Sequence, residues 1–105
     1  MMIISKGPKI KCKRCQKQYD IDPVDFDDAD ISSDERSMGY ELQYTWQYMS
    51  NCVRCKNELT IIVEGYEYPV GAFNYEEFTY EGCIVIENPE LEIKHIEEYE
   101  DDDIY

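Results

Sequence analysis

Two C-x-x-C pairs constrain this chain more than any other feature. Cys12 and Cys15 stand in KCKRCQ, and Cys52 and Cys55 stand in NCVRCK, with residues 16–51 between them. A C-x-x-C segment turns tightly enough to aim both sulfurs at one ion, while amides of the turn donate to the thiolates. Two such turns complete a tetrahedron of sulfur, the geometry of a structural zinc site. Lys11, Lys13, Arg14, Gln16, Arg54 and Lys56 flank the cysteines. Polar flanks point to surface turns, not to core strands. Cys12, Cys15, Cys52 and Cys55 are therefore the expected metal ligands. Zinc is the first expectation and iron the second, because four thiolates accept either. Four protein ligands also close the shell, so the metal should hold the fold and leave no position for water or substrate.

This arrangement resembles the zinc-ribbon class, in which two knuckles sit on a small antiparallel sheet. The resemblance covers the four cysteines and the strands beside the second pair. It implies a structural metal and an antiparallel β fold. The chain departs from the pattern after the second cysteine of each knuckle, where a Gly is usual and Gln16 and Lys56 stand instead. The departure weighs further against a rubredoxin-like iron centre, whose knuckles are usually Gly-rich.

Composition agrees with a β fold. There are 12 Ile and 5 Val against 3 Leu and 2 Ala, with 10 Tyr. β-Branched and aromatic side chains suit a pleated surface, and good helix formers are scarce. The expected fold class is a small mainly-β (or α+β) domain: an antiparallel sheet with a four-cysteine zinc ribbon, one short helix, an acidic loop and an acidic tail. Residues 40–49 alternate Tyr40, Leu42, Tyr44, Trp46 and Tyr48 with polar residues, the period of a half-buried strand. Residues 58–64 form a second strand, and Glu64-Gly65 separates it from residues 66–70 in a hairpin. Pro69 confines that last segment to an edge or ends it. Asn74 and Glu77 can cap a short helix over residues 74–82, and Gly82 can stop it. Residues 83–86 read as a buried strand. Residues 91–96 alternate Leu91, Ile93 and His95 as a strand does, which is the preferred reading, and Asn88-Pro89-Glu90 offers a helix start as the alternative. Residues 20–39 read as an acidic loop insertion with one or two helical turns, starting at Asp22-Pro23 or at Ser32. The expected domain spans residues 1–96, and residues 97–105 form an acidic, disordered tail.

Charge decides what the chain can bind. The formal net charge is −14. Residues 20–35 carry eight acids and no base, and residues 97–103 carry six acids. Six of the 10 basic residues lie in residues 1–19, around the first knuckle. There they can offset the negative charge of a four-thiolate zinc. A field of this sign repels nucleic acid and attracts basic proteins. Direct nucleic-acid binding is therefore not expected, although the knuckle bases are the kind of group that contacts phosphate.

Other chemistry is thinly represented. His95 is the one His, so histidine-based triads are excluded unless His95 is itself the base. No phosphate-loop, dinucleotide-binding or nucleophile-elbow motif is present. No register of the 20–35 acids places a Gly and a Glu where an EF-hand loop needs them. Cys83 reads as a small buried residue, and His95 as a packed or surface residue. No apolar run reaches the roughly 18 residues of a membrane helix, and no secretory leader is evident. Five Cys in such a chain fit a reducing, cytoplasmic compartment.

The expected function is a non-enzymatic, acidic, zinc-stabilised interaction module that binds a basic or nucleic-acid-handling protein. It would be an inhibitor, an antitoxin or immunity protein, or a small complex subunit. Its expected contact residues are Asp25, Asp27, Asp28 and Asp30 in the acidic segment, and Tyr66, Tyr68, Tyr75, Glu76 and Glu77 in the aromatic-acidic stretch. One alternative is a DNA mimic, whose carboxylates stand in for phosphates. Another is a rubredoxin-like electron carrier.

Overall fold

A computed structural model describes residues 2–37 and 39–94. Nine strands run β1 Met2–Lys6, β2 Lys9–Cys12, β3 Gln18–Asp20, β4 Asp30–Arg36, β5 Gly39–Asn51, β6 Glu58–Glu67, β7 Phe73–Glu81, β8 Cys83–Glu87 and β9 Glu90–Ile93. They form three antiparallel sheets, ordered β1-β9, β3-β2-β8 and β4-β5-β6-β7. The helical element among the described residues is a single 3-10 turn, Pro23–Asp25. None of their helices is long and apolar enough to cross a membrane.

The β5–β6 hairpin is the spine. Its register pairs Trp46 with Val63, Tyr48 with Ile61 and Ser50 with Leu59. That face is the buried one: Tyr44, Trp46, Leu59, Ile61 and Val63 are all buried. Strand β1 lies across it, with Met2 and Ile4 buried in the same cluster. Ile10, Ile21 and Phe26 complete the cluster from the cysteine-bearing side of the chain. Burying side chains of this size contributes about 1.5–3 kcal/mol each. The period-two reading of residues 40–49 thus corresponds to a strand, extended at both ends.

Residues 74–82 are not a helix. Residues 74–81 lie in β7, which pairs with β6 from Thr60–Glu81 to Glu67–Phe73. Phe78 and Tyr80 pack toward the core while Thr79 and Glu81 face out. The Asn74 side chain donates to Glu41 and caps nothing. Tyr, Phe and Thr in this stretch favour a strand, and a free β6 edge was available to complete it.

Residues 20–39 are not a loop throughout. Asp22-Pro23 does start the 3-10 turn, with Asp22 accepting from the Val24 amide and Asp25 accepting from the Asp22 amide. Ser32 starts no turn; it lies in β4, paired with Gln43 of β5. Every β4 residue is exposed. A strand wet on both faces shows no hydrophobic period. Its pairing comes from the unfilled edge of β5.

The β6 strand does not stop at Glu64-Gly65. It continues to Glu67, and the turn follows at residues 68–72, with a cis Tyr68-Pro69 bond. Gly65 sits inside the strand because Met2 and Leu91 occupy the space a Cβ would need. Glu67 is the one buried charged side chain among the described residues, at 1% exposure. Its carboxylate accepts from the Tyr44 hydroxyl at 3.0 Å and from the Gly71 amide at 2.6 Å, pinning the turn to the sheet. Glu67→Ala leaves the buried Tyr44 hydroxyl and the half-buried Gly71 amide without this acceptor and is expected to cost about 2 kcal/mol. Urea unfolding would read this as a lower midpoint at an unchanged slope.

The expected strand at residues 91–96 corresponds to β9 over Glu90–Ile93, paired with β1. Its remainder, His95 and the acidic stretch 97–105 lie outside the described residues.

Candidate metal centre

Each knuckle is the turn of a β-hairpin. The first joins β2 to β3 and the second joins β5 to β6. Both close in the same way. The Gln16 amide donates to the Cys12 carbonyl at 2.9 Å, and the Cys12 amide donates to the Lys17 carbonyl at 2.8 Å. In the second, Lys56 donates to Cys52 at 2.8 Å, and Cys52 donates to Asn57 at 2.7 Å. Gln16 and Lys56 have φ of 70° and 67°. These are the two positions where the ribbon pattern usually has Gly, and the chain adopts the Gly-like conformation without it. A left-handed non-Gly residue costs about 1–2 kcal/mol, partly offset by the flexibility Gly adds to the unfolded chain. Lys56→Gly is expected to leave stability equal or higher by up to about 1 kcal/mol. Lys56→Val, branched at Cβ, is expected to lower it by about 1–2 kcal/mol. Thermal melts of the two variants check this opposition.

The two knuckles bring four sulfurs together. Cys12 and Cys55 Sγ are 3.5 Å apart, Cys15 and Cys52 Sγ are 3.6 Å apart, and all four lie within 4.8 Å of one another. A disulfide would need about 2 Å. A sulfur tetrahedron around zinc at about 2.3 Å has edges near 3.8 Å. The donor set and the spacing therefore fit a four-coordinate metal ion. Among the described residues no other group of three or more His, Cys, Asp or Glu side chains gathers in this way. The 20–35 acids form no such cluster.

Three residues that the cysteine spacing does not reveal hold the centre in place. The Tyr19 hydroxyl donates to Cys52 Sγ at 3.1 Å and accepts from the Val53 amide at 3.1 Å. Its hydrogen bond, helped by the amides of Cys55 and Arg54 against the effect of burial, holds the Cys52 thiol down to about 6. The Asn57 side chain points its amide at Cys12 Sγ, 3.7 Å away, and donates to the Gly82 carbonyl at 2.9 Å. That same carbonyl accepts from the Lys13 amide at 3.1 Å. Gly82, at φ 75°, thus bolts one knuckle to the other. Its left-handed conformation ends no helix; it joins β7 to β8. Such partners, which orient ligands from behind, arise from tertiary pairing and leave no fixed spacing in the sequence.

Cys83 is the fifth cysteine. It is buried, paired across the β2–β8 ladder with Cys12, and its thiol points at the Thr60 carbonyl. Burial and the neighbouring Cys12 push its thiol up. The bases of the N-terminal region divide their roles. Lys6 and Lys9 pair with Glu87 and Asp20, at 3.2 and 3.8 Å. Lys13, Arg14 and Arg54 are exposed on the knuckles.

The expected contact residues are brought together only in part. Tyr66 and Tyr75 pair across β6 and β7 with rings stacked at 4.3 Å. Glu77 lies on the same sheet face, opposite Glu64. Burial, the Tyr75 hydroxyl and these carboxylates push the Tyr66 phenol up to about 12. Asp30 joins that face from β4, opposite Thr45. Glu76 points to the other face, opposite Gly65. Tyr68 sits in the 68–72 turn with the Arg36 guanidinium 5.9 Å from its ring centre. Asp25 is committed to the 3-10 turn, while Asp27 and Asp28 follow it in the connection to β4.

Comparison with protein-family models, with curated proteins and with solved structures gave no match, so the chain is placed by its own geometry: a small antiparallel β protein with a four-cysteine cluster fit to hold a metal ion.

Proposed function

We propose that the chain is a zinc-stabilised, non-catalytic interaction module that binds a basic protein. The observation that carries this reading is the outer face of the four-stranded sheet. β4 contributes Asp30 and Asp34 to it, β5 Glu41, β6 Glu58 and Glu64, and β7 Glu77 and Glu81. Arg36 is the basic residue on that face, and it is paired with Glu41 at 2.8 Å. Alternate residues on one strand stand about 6.8 Å apart, and neighbouring strands about 4.8 Å apart. On this sheet Asp30, Glu64 and Glu77 share one cross-strand row and Asp34 and Glu41 another, with the stacked Tyr66–Tyr75 pair in the row between. Such a surface meets Lys and Arg side chains and offers aromatic area between them. The closed four-thiolate shell supports a structural role for the metal, and zinc is its best occupant.

The single sign of these carboxylates, with Arg36 already paired, also favours a second reading, in which they replace the phosphates of a nucleic acid. One experiment addresses both. The tagged protein is used to capture partners from its source cells, beside a variant carrying Asp30→Asn, Asp34→Asn, Glu64→Gln and Glu77→Gln. Capture of one stoichiometric basic protein, weakened about tenfold or more in the variant, is expected. Displacement of that partner by duplex DNA identifies the mimic. Equal capture by both proteins contradicts the reading.

A further inference from the structure

The opposite side of the molecule carries an apolar groove that the acidic sheet face does not explain. It has a volume of about 530 Å³ and lies between β1, the 3-10 turn and the β4–β5 pair. Met2, Phe26, Tyr44 and Trp46 line its interior. Val24 and Ile31 stand in its lining at 83% and 53% exposure, unusual for apolar side chains of this size. Asp27 and Asp28 also line it, both exposed, and no basic residue does. A space of this volume accepts one or two large apolar side chains, the kind of anchor on which protein contacts concentrate their energy.

We infer that this groove receives a segment of a partner protein in which a large apolar side chain is flanked by Lys or Arg. The apolar side chain fills the space beside Trp46 and Phe26, and the flanking cation meets Asp27 and Asp28. Charge complementarity selects this occupant. Two carboxylates at an apolar mouth favour a cation next to an apolar anchor and disfavour an acidic segment. The acidic residues 97–103 of the chain itself are a poor match for the same reason. The inference rests on the reading that the chain binds a basic protein, and adds a second contact on the face away from the carboxylate array.

The test is selection of displayed random dodecapeptides on the metal-loaded protein, with counter-selection on the variant Val24→Ser, Asp27→Asn, Asp28→Asn. All three side chains are exposed, so the variant should keep its fold, checked by metal content and circular dichroism. Trp46 is the one Trp in the chain and reports directly on the groove. The expected result is enrichment of peptides with Leu, Phe or Ile beside Lys or Arg. These should blue-shift Trp46 emission and bind the variant at least about tenfold more weakly. Peptides that bind both proteins equally, acidic peptides, or no enrichment overturn the inference. So does a Trp46 shift that appears with protein concentration alone, or on deletion of residues 95–105, since each puts this chain's own surface in the groove. The partner capture described above separates the two readings. Loss of capture in the sheet-face variant with full capture in the groove variant sinks the groove and keeps the interaction module. Full capture in both sinks the module.

Discussion

Cys52→Ser is expected to release the metal and abolish cooperative thermal unfolding at physiological temperature. The chain's architecture makes the effect large. The β3-β2-β8 and β4-β5-β6-β7 sheets share no ladder. The knuckles, one from each sheet, tie them together. Structural zinc supplies about 10–16 kcal/mol of apparent binding free energy in small domains. A whole domain is stable by only about 5–15 kcal/mol. Cys52 is also the sulfur to which the Tyr19 hydroxyl donates, so its replacement disturbs that bond as well as the metal. The same collapse should follow chelation of the wild-type protein, and added zinc should reverse that one but not the mutant. Circular dichroism with metal analysis checks both. A Cys52→Ser protein that kept its metal and its melting temperature would refute the structural role.

Gly82→Ala should have the second-largest effect, although the residue is neither a ligand nor in the core. A Cβ at this position runs into the Glu58 backbone carbonyl, which cannot swing away as a side-chain tip would. The φ of 75° adds the left-handed penalty. Together the strain and the overpacking amount to about 2–5 kcal/mol. For a domain of this size that lowers the melting temperature by about 10–30 °C. The mutation also displaces the carbonyl that accepts from both Lys13 and Asn57. Metal affinity should therefore fall with stability, measured by competition with a chromogenic chelator. A Gly82→Ala protein that melted lower but held its metal as tightly would mean that Gly82 supports the sheet alone.

The legible and illegible parts of this chain divide along a physical line. The β5 strand could be read because Tyr44 and Trp46 are buried while the polar Gln43, Thr45 and Gln47 lie on the other face, which writes a period of two into the sequence. The four-cysteine cluster could be read because two C-x-x-C turns have a fixed spacing in the sequence. β4 could not be read, since a strand exposed on both faces has no period to show. The 74–82 segment misleads because Asn-x-x-Glu and a following Gly satisfy helix-capping rules locally, while the open edge of β6 decides the outcome. Gly65 reads as a turn and is instead a close approach to Met2. Tyr19 and Asn57 reach the sulfurs only after the hairpins have formed. Local chemistry thus exposed the clustered cysteines, and the groups that hold them were set by long-range pairing.

The central claim is that one metal ion, held by Cys12, Cys15, Cys52 and Cys55, joins the two halves of the fold. Its most direct test is elemental analysis of the purified protein, paired with a melting curve before and after chelation. One zinc per chain, no visible absorption and a large fall in melting temperature on chelation are the results expected here. Protein that carried no metal yet melted at the same temperature with chelator would contradict the claim, and stoichiometric iron with visible absorption would contradict the assignment of zinc.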